Sequence, residues 1–279
     1  MIKKIEKPDA SEDTEALEDS VYFSPPVQRA AKLLRYIADG GTIENIQQAV
    51  KSLGISRTTL LRLLYTLEIE RFISKIPGSG EYQIGIGLLG LVGQNAYGQD
   101  LVQVALPIVS WLAERSGLSA HLGVLDGTDA VYLARRIPNV PLASNIRVGS
   151  RISAHATTLG RAILAFMDPD VVTAMFSDRL LNQHTDRTLT SYPDLQKKLQ
   201  DELKAGYSSS DGMYTKGVSS IAAPIFGENG YVVASINVTG PTDLVSGSAE
   251  RHAQIVALVL EAANTASVKL GYRAGSAVA

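Results

Sequence analysis

In the first third of the chain, apolar positions recur at helical spacing in three short runs, separated by the glycine and polar residues that end helices. Val27, Ala30, Ala31, Leu34 and Ile37 share one face behind Pro25 and Pro26, and Gly40 and Gly41 close that segment. Ile46, Ala49 and Val50 predict a second helix over 43–52. Gly54 supplies a turn. Ser56 then opens a third helix as its N-cap, with Leu60, Leu63, Leu64 and Leu67 as the inward stripe. Beyond it the period falls to two: 71–76 and 81–84 alternate apolar and polar about a P-G-S-G turn, which predicts a hairpin. Three helices followed by a hairpin make a winged helix-turn-helix over 25–86.

Gly85, Gly87 and Gly90 match G-x-G-x-x-G, but the strand before them is short and polar, and no acidic residue follows at the distance a dinucleotide site needs. The glycines are read instead as close-packing points where the chain leaves the hairpin. Residues 87–99 are expected to form a linker helix that exposes Leu88, Leu91 and Val92 to a partner. A helix over 101–115 carries Leu101, Val104, Ala105, Ile108, Val109 and Leu112 in phase, with Pro107 as a kink. Strands are predicted at 121–125 and 130–134 about a D-G-T-D turn, at 145–148, and at 219–225 and 231–238 about G-E-N-G. Helices are predicted at 156–166, where Gly160 permits close approach, and at 169–176, 194–205 and 248–270. The expected class is α+β: the winged unit, a linker helix, and an antiparallel sheet flanked by helices over 100–279.

Composition narrows the chemistry. At 279 residues and 45% hydrophobic content the chain has enough apolar material for two domains. It has no cysteine, so disulfides, thiolate metal sites and cysteine nucleophiles are excluded. The four histidines, His121, His155, His184 and His252, show no metal-ligand spacing. No apolar run reaches the ~18 residues of a membrane span, and the charged start does not resemble a signal peptide, so a cytoplasmic protein without membrane contact is expected. Residues 1–24 hold seven carboxylates and few apolar residues, the composition of a disordered acidic tail. The net charge is −2, yet 25–90 hold eight cations against five carboxylates, so a nucleic-acid surface has to be local.

That local excess lies on the third helix. Arg57, Thr58 and Arg62 point away from the leucine stripe, and no carboxylate follows until Glu68, which suits phosphate oxygens and base edges. Taken alone, such a helix reads more readily as a solvated amphipathic one; the hairpin after it, with Lys75 and Ser79 at phosphate height, favours DNA. The expected DNA-binding set is Arg29, Ser56, Arg57, Thr58, Thr59, Leu61, Arg62, Lys75 and Ser79. Leu61 is either a contact for a thymine methyl or a packing residue.

The chain resembles the IclR family of bacterial transcription regulators from about Val27 to Leu270. The stretches that carry the likeness are V-Q-R-A at 27–30, G-I-S-R-T-T-L-L-R-L-L at 54–64, V-G-S-R-I-S-A-H-A-T-T-L-G-R-A at 148–162, G-V-S-S-I-A-A-P at 217–224 and S-I-N-V-T-G-P at 235–241. The resemblance implies a dimerising linker helix, a GAF-like C-terminal domain that binds a small effector, usually a carboxylate, and a homodimer or homotetramer on double-stranded operator DNA. It also implies an effector site carried by His155, Thr158, Leu159, Ser210, Asp211, Ser220, Asn237 and Thr239, with backbone N–H groups of Thr158 and Leu159 holding the carboxylate. Two departures bear on the ligand. The run after G-Y is S-S-S-D-G-M, with only Asp211 acidic, and Ser220 stands where the family has cysteine. A less charged, roomier pocket is therefore expected, with Met213 and Tyr214 lining an apolar or aromatic part of the effector.

The expected function is a ligand-responsive regulator, a repressor of a catabolic operon, with no cofactor, metal or catalytic residue. Two alternatives stay open: a GAF-like sensor acting through protein contacts, and an enzyme for small acids. The second has no paired acid and base, and no G-x-S-x-G elbow that would recruit His155, Ser153 and Asp126 as a triad.

Overall fold

The computed structural model describes residues 23–88, 96–138 and 146–273. The acidic segment 1–22, most of the linker and Asn145 lie outside the described residues, so the expectations of a disordered tail and of Leu91 and Val92 on an exposed helix face fall there. The chain divides into two compact units, Met1–Gln99 and Asp100–Ala279.

In the first unit α1 (Pro25–Ala38), α2 (Ile46–Leu53) and α3 (Arg57–Ile69) enclose a core of Leu33, Ile37, Ile43, Ala49, Leu60, Leu64, Leu67 and Ile73. Helix α2 starts three residues later than the apolar pattern predicts. The reason is Asn45, whose carboxamide oxygen accepts from the Gln48 N–H at 3.1 Å and caps the helix, leaving Ile43 buried ahead of it. Gly54 ends α2 at φ 64°, in the left-handed region. Strands β1 (Ile73–Lys75) and β2 (Tyr82–Ile84) pair antiparallel as the wing. Gly85 and Gly87 then pass against the end of α3: a Cβ on Gly85 would stand 2.3 Å from the Arg71 carbonyl oxygen, and the Gly87 N–H donates to that oxygen at 2.8 Å. Close backbone approach accounts for these two glycines.

The second unit is built on one six-stranded antiparallel sheet in the order β5-β4-β3-β8-β7-β6, formed by β3 (Ser119–Asp126), β4 (Asp129–Arg136), β5 (Arg151–Ser153), β6 (Ser208–Asp211), β7 (Val218–Phe226) and β8 (Val232–Pro241). Helices α4 (Ala96–Ser116) and α9 (Ala249–Lys269) supply Ala105, Val109, Leu112, Ile255, Val259 and Ala262 to one hydrophobic core with Ala120, Leu122, Ile221, Ala223, Ile236 and Val238 of the sheet. Because side chains alternate along a strand, the residues between these, namely His121, Gly123, Ser220, Ser235, Asn237 and Thr239, face the other way. Helix α5 (Thr158–Leu164) covers part of that second face: Leu159 sits over Gly123, and the Ser235 hydroxyl donates to the Leu159 carbonyl at 2.8 Å. Helices α6 (Pro169–Phe176) and α7 (Tyr192–Ala205) extend this side, and the short α8 (Thr242–Ser246) leads into α9.

Two strands differ from the pattern reading. Residues 146–150 form no strand; Gly149, at φ 87°, turns the chain, and pairing with β4 begins at Arg151. Strand β6 reads Ser-Ser-Ser-Asp and has no apolar alternation to reveal it. It exists because β7 offers an edge: Ser208 pairs with Ala222 and Asp211 with Ser219.

Candidate functional site

The wing and α3 make one candidate surface. Ser56 caps α3 by accepting from the Thr59 N–H at 3.1 Å, and the two hydroxyls are 2.9 Å apart, so both residues are partly committed to the helix start. Arg29, Arg57, Thr58 and Arg62 are exposed, and the three arginines enter no ion pair among the described residues. Lys75 is different. Its ammonium lies 3.5 Å from Glu68 and 5.6 Å from the Tyr82 ring centre, and Tyr82 first, then Glu68, hold its pKa above the ordinary lysine value. A phosphate therefore has to compete for Lys75, which sequence reasoning treats as free. The Ser79 hydroxyl donates to the Ile76 carbonyl at 3.4 Å and accepts from the Glu81 N–H at 3.2 Å, which holds the wing turn. Leu61 is exposed and shares its face with exposed Tyr65 and Ile69, four and eight residues on.

The second candidate is a cavity of about 920 Å³ on the α5 side of the sheet. Thr158, Ser210, Tyr214, Ser220, Asn237 and Thr239 line it, with Tyr132, Arg151 and Thr157, while Ile146, Ile152, Val218 and Pro241 supply the apolar wall. Its centre is a chain of hydrogen bonds. His121 Nδ1 lies 2.9 Å from Asn237 Oδ1, Asn237 Nδ2 lies 3.5 Å from Thr158 Oγ1, and Thr158 Oγ1 lies 2.9 Å from Ser220 Oγ. His121 is fully buried and held neutral, its pKa lowered to about 4 by burial, against the bond to Asn237 and with Arg135 adding to the drop. Tyr132 meets the His121 ring edge-on at 5.4 Å, and burial, then Tyr214, raises its phenol pKa, so Tyr132 stays protonated and able to donate. Arg151 enters the cavity wall with its charge met by Asp126 and Asp129.

Four expected effector residues lie elsewhere. His155 is buried beside the cavity with Nε2 3.1 Å from the Asn182 carbonyl, so its ring is spent on a loop. The Leu159 side chain fills the core under α5, which leaves only its backbone N–H for a ligand. Asp211 pairs with Arg187 and accepts from Ser219 and Thr242, both at 3.1 Å, which turns its charge away from the cavity. Met213 uses its carbonyl to accept from Thr188 at 2.6 Å and does not line the wall. Conversely, His121, Tyr132 and Arg151 escape sequence reasoning. The signal for His121 was a polar residue alternating with Ala120 and Leu122 inside an otherwise apolar strand.

Beneath α5, Arg161 is fully buried, with Nε 3.1 Å from Glu202 Oε1 and further bonds to the carbonyls of His155 and Ser209. Ser208 also donates to Glu202, at 2.8 Å. This cluster ties α5, α7 and β6 together behind the cavity and has no opening to it. No group of three or more His, Asp or Glu that could hold a metal occurs among the described residues, and none of the described helices is long and apolar enough to cross a membrane.

A winged helix-turn-helix followed by a helix-flanked sheet with a ligand-sized cavity is the construction of a transcription regulator with a ligand-binding domain. The chain belongs to the IclR family: residues 26–77 match the IclR helix-turn-helix domain and residues 94–268 match the bacterial transcriptional regulator IclR C-terminal domain. It is 28% identical over 220 residues to the HTH-type transcriptional regulator XynR of Escherichia coli K12, covering 78% of this chain and 87% of that one. It is 26% identical over 245 residues to the transcriptional repressor IclR of the same strain, covering 87% and 89%. Among solved structures, an IclR transcriptional regulator from Alicyclobacillus acidocaldarius superposes with a TM-score of 0.72 at 26% identity, over 90% of this chain and all of that one. An IclR homologue from Microbacterium hydrocarbonoxydans, complexed with 4-hydroxybenzoate, shares the fold with a TM-score of 0.75 at 23% identity, over 88% and 98%.

Proposed function

We propose that the protein is a homodimeric or homotetrameric repressor of a catabolic operon, released from double-stranded operator DNA by an organic or aromatic acid larger than two or three carbons. The observation that carries this reading is the cavity of about 920 Å³, which has two tyrosines and an aliphatic wall but no unbalanced charge. A ligand that fills it needs apolar area as well as polar ends. The carboxylate is assigned to the backbone N–H groups of Thr158 and Leu159, which precede the hydrogen-bond ladder of α5. Ser210, Ser220, Asn237 and Thr239 take the remaining oxygens, and Tyr132 and Tyr214 lie against the ring or chain. Repression is supported by the family's transcriptional repressor IclR and repressor AllR in Escherichia coli, and an aromatic acid by the 4-hydroxybenzoate of the Microbacterium hydrocarbonoxydans homologue.

On the DNA side, Arg57, Thr58, Leu61 and Arg62 are assigned to the major groove and Arg29, Ser79 and Lys75 to phosphates. A dimer then reads a near-palindrome with half-sites ~34 Å apart or a multiple of that. The test is a thermal-shift screen of aliphatic and aromatic carboxylic acids, followed by footprinting of the DNA upstream of the protein's own gene with and without each hit. A hit that weakens the footprint is the expected outcome. Micromolar binding of glyoxylate or pyruvate in preference to larger acids would overturn the assignment of ligand size.

A further inference from the structure

We propose that His121 is a positioning residue for effector recognition: through Asn237 and Thr158 it orients the Ser220 hydroxyl as a donor toward the cavity, so that the site selects a ligand presenting an acceptor oxygen there. The inference rests on reading this cavity as the effector site, and it adds a residue that does not touch the ligand.

The geometry behind it is a chain of side-chain contacts from His121 through Asn237 and Thr158 to Ser220. Strand register sets His121 of β3 opposite Asn237 of β8, and Ser220 of β7 next to Thr239 of the same strand β8. The ring is fully buried, its Nδ1 faces Asn237, and its Nε2 is the only buried side-chain nitrogen or oxygen without a hydrogen-bond partner among the described residues. A neutral imidazole has one proton to place. With the proton on Nδ1, Asn237 Oδ1 accepts and Asn237 Nδ2 donates to Thr158, so the Thr158 proton is not claimed by Asn237; it is then available to Ser220, which frees the Ser220 proton for the cavity. With the proton on Nε2 the Asn237 amide has to turn over and each bond reverses. Ser220 then donates to Thr158 and offers only lone pairs.

Burial decides between the two. The second tautomer strands an N–H in the core, whereas the first strands only a lone pair, and orphaned buried N–H groups are the rarer case. Arg135, the register partner of His121 on β4, adds positive charge that a lone pair tolerates better than an N–H does. Protonation of both nitrogens is opposed by the same burial.

Two measurements on the full-length protein test this. Long-range ¹H–¹⁵N spectra of the histidine rings, with the His121 signals assigned by their loss in H121Q, are expected to show the Nδ1–H form; an Nε2–H or doubly protonated ring near neutral pH overturns the proposal. The second is calorimetric binding of benzoate and 4-hydroxybenzoate to the wild type, H121L, H121Q, S220A and the two double variants. H121L, which cannot donate to Asn237, is expected to weaken binding about tenfold, H121Q to restore most of it by donating through its amide, and neither to matter once Ser220 is alanine. Equal losses from H121L in both backgrounds overturn the relay and mark a packing role. Failure of both acids and of the wider acid panel to bind the wild type removes the effector reading, and the ring tautomer alone then decides the relay.

Discussion

The two units place their working polar groups in opposite environments. On α3, Arg57 and Arg62 stand in solvent and enter no ion pair among the described residues. In the sheet unit His121, Asn237, Thr158 and Ser220 are bonded to one another, and His121 is fully enclosed. DNA brings its own charge and geometry, so exposed cations need only be available, and their contribution appears in binding. A small ligand brings little, so the pocket has to be ordered beforehand, and that order is bound up with folding. Changes on α3 should therefore alter binding while leaving stability alone, and changes near the cavity should alter both.

The largest effect tests the buried side. Replacing Arg161 by Ala leaves the buried Glu202 carboxylate with only the Ser208 hydroxyl and the half-buried Lys198 at 3.7 Å, and should lower stability by about 3 to 5 kcal/mol in chemical denaturation. Replacing both Arg161 and Glu202 by similar-sized apolar residues should recover most of that loss, and a mild single variant would mean that water reaches the pair.

Acid comes next. His121 has a folded pKa of about 4 against 6.5 unfolded, so the unfolded chain binds the extra proton between those values. Stability from this group is complete above pH 6.5, falls as the pH drops toward 4, and amounts to roughly 3 kcal/mol. His155, whose pKa is also lowered by burial, adds a loss of the same sign. In H121Q the steepness of the acid profile between pH 6.5 and 4 should fall; an unchanged profile would move the effect elsewhere.

On the exposed side, Arg57→Ala should reduce operator affinity by about 1 to 3 kcal/mol if the guanidinium reads a base, with an unchanged melting temperature. A shifted melt would contradict the division between the units. The smallest effect sharpens it: Glu68→Gln removes one of the two groups that hold Lys75, and gel shifts should show a small gain in operator affinity that fades at high salt, with stability unchanged.

How much of this was legible in the chain varies with the range of the interaction. Ser56 as a cap, Gly54 as a turn and the D-G-T-D hairpin all follow from atoms within four residues of one another, and the structure has them. Helix α6 has the bounds its apolar pattern predicts. Legibility fails where a neighbour from far along the chain decides. Strand β6 has no pattern of its own and forms on the edge of β7. The resemblance placed Asp211 in the pocket, but Arg187 draws it away. It also favoured His155, whose ring bonds to Asn182, over His121, which no motif marks.

By itself, then, the sequence determined most of the local elements and their order, because periodicity, capping and turn chemistry act over one helical turn or one strand pair, and its motifs marked the family. Only the tertiary structure decided which polar residues share an enclosure. His121 and Asn237 stand 116 positions apart, and sheet pairing alone sets them 2.9 Å from each other, buried from the water that would otherwise satisfy each of them separately.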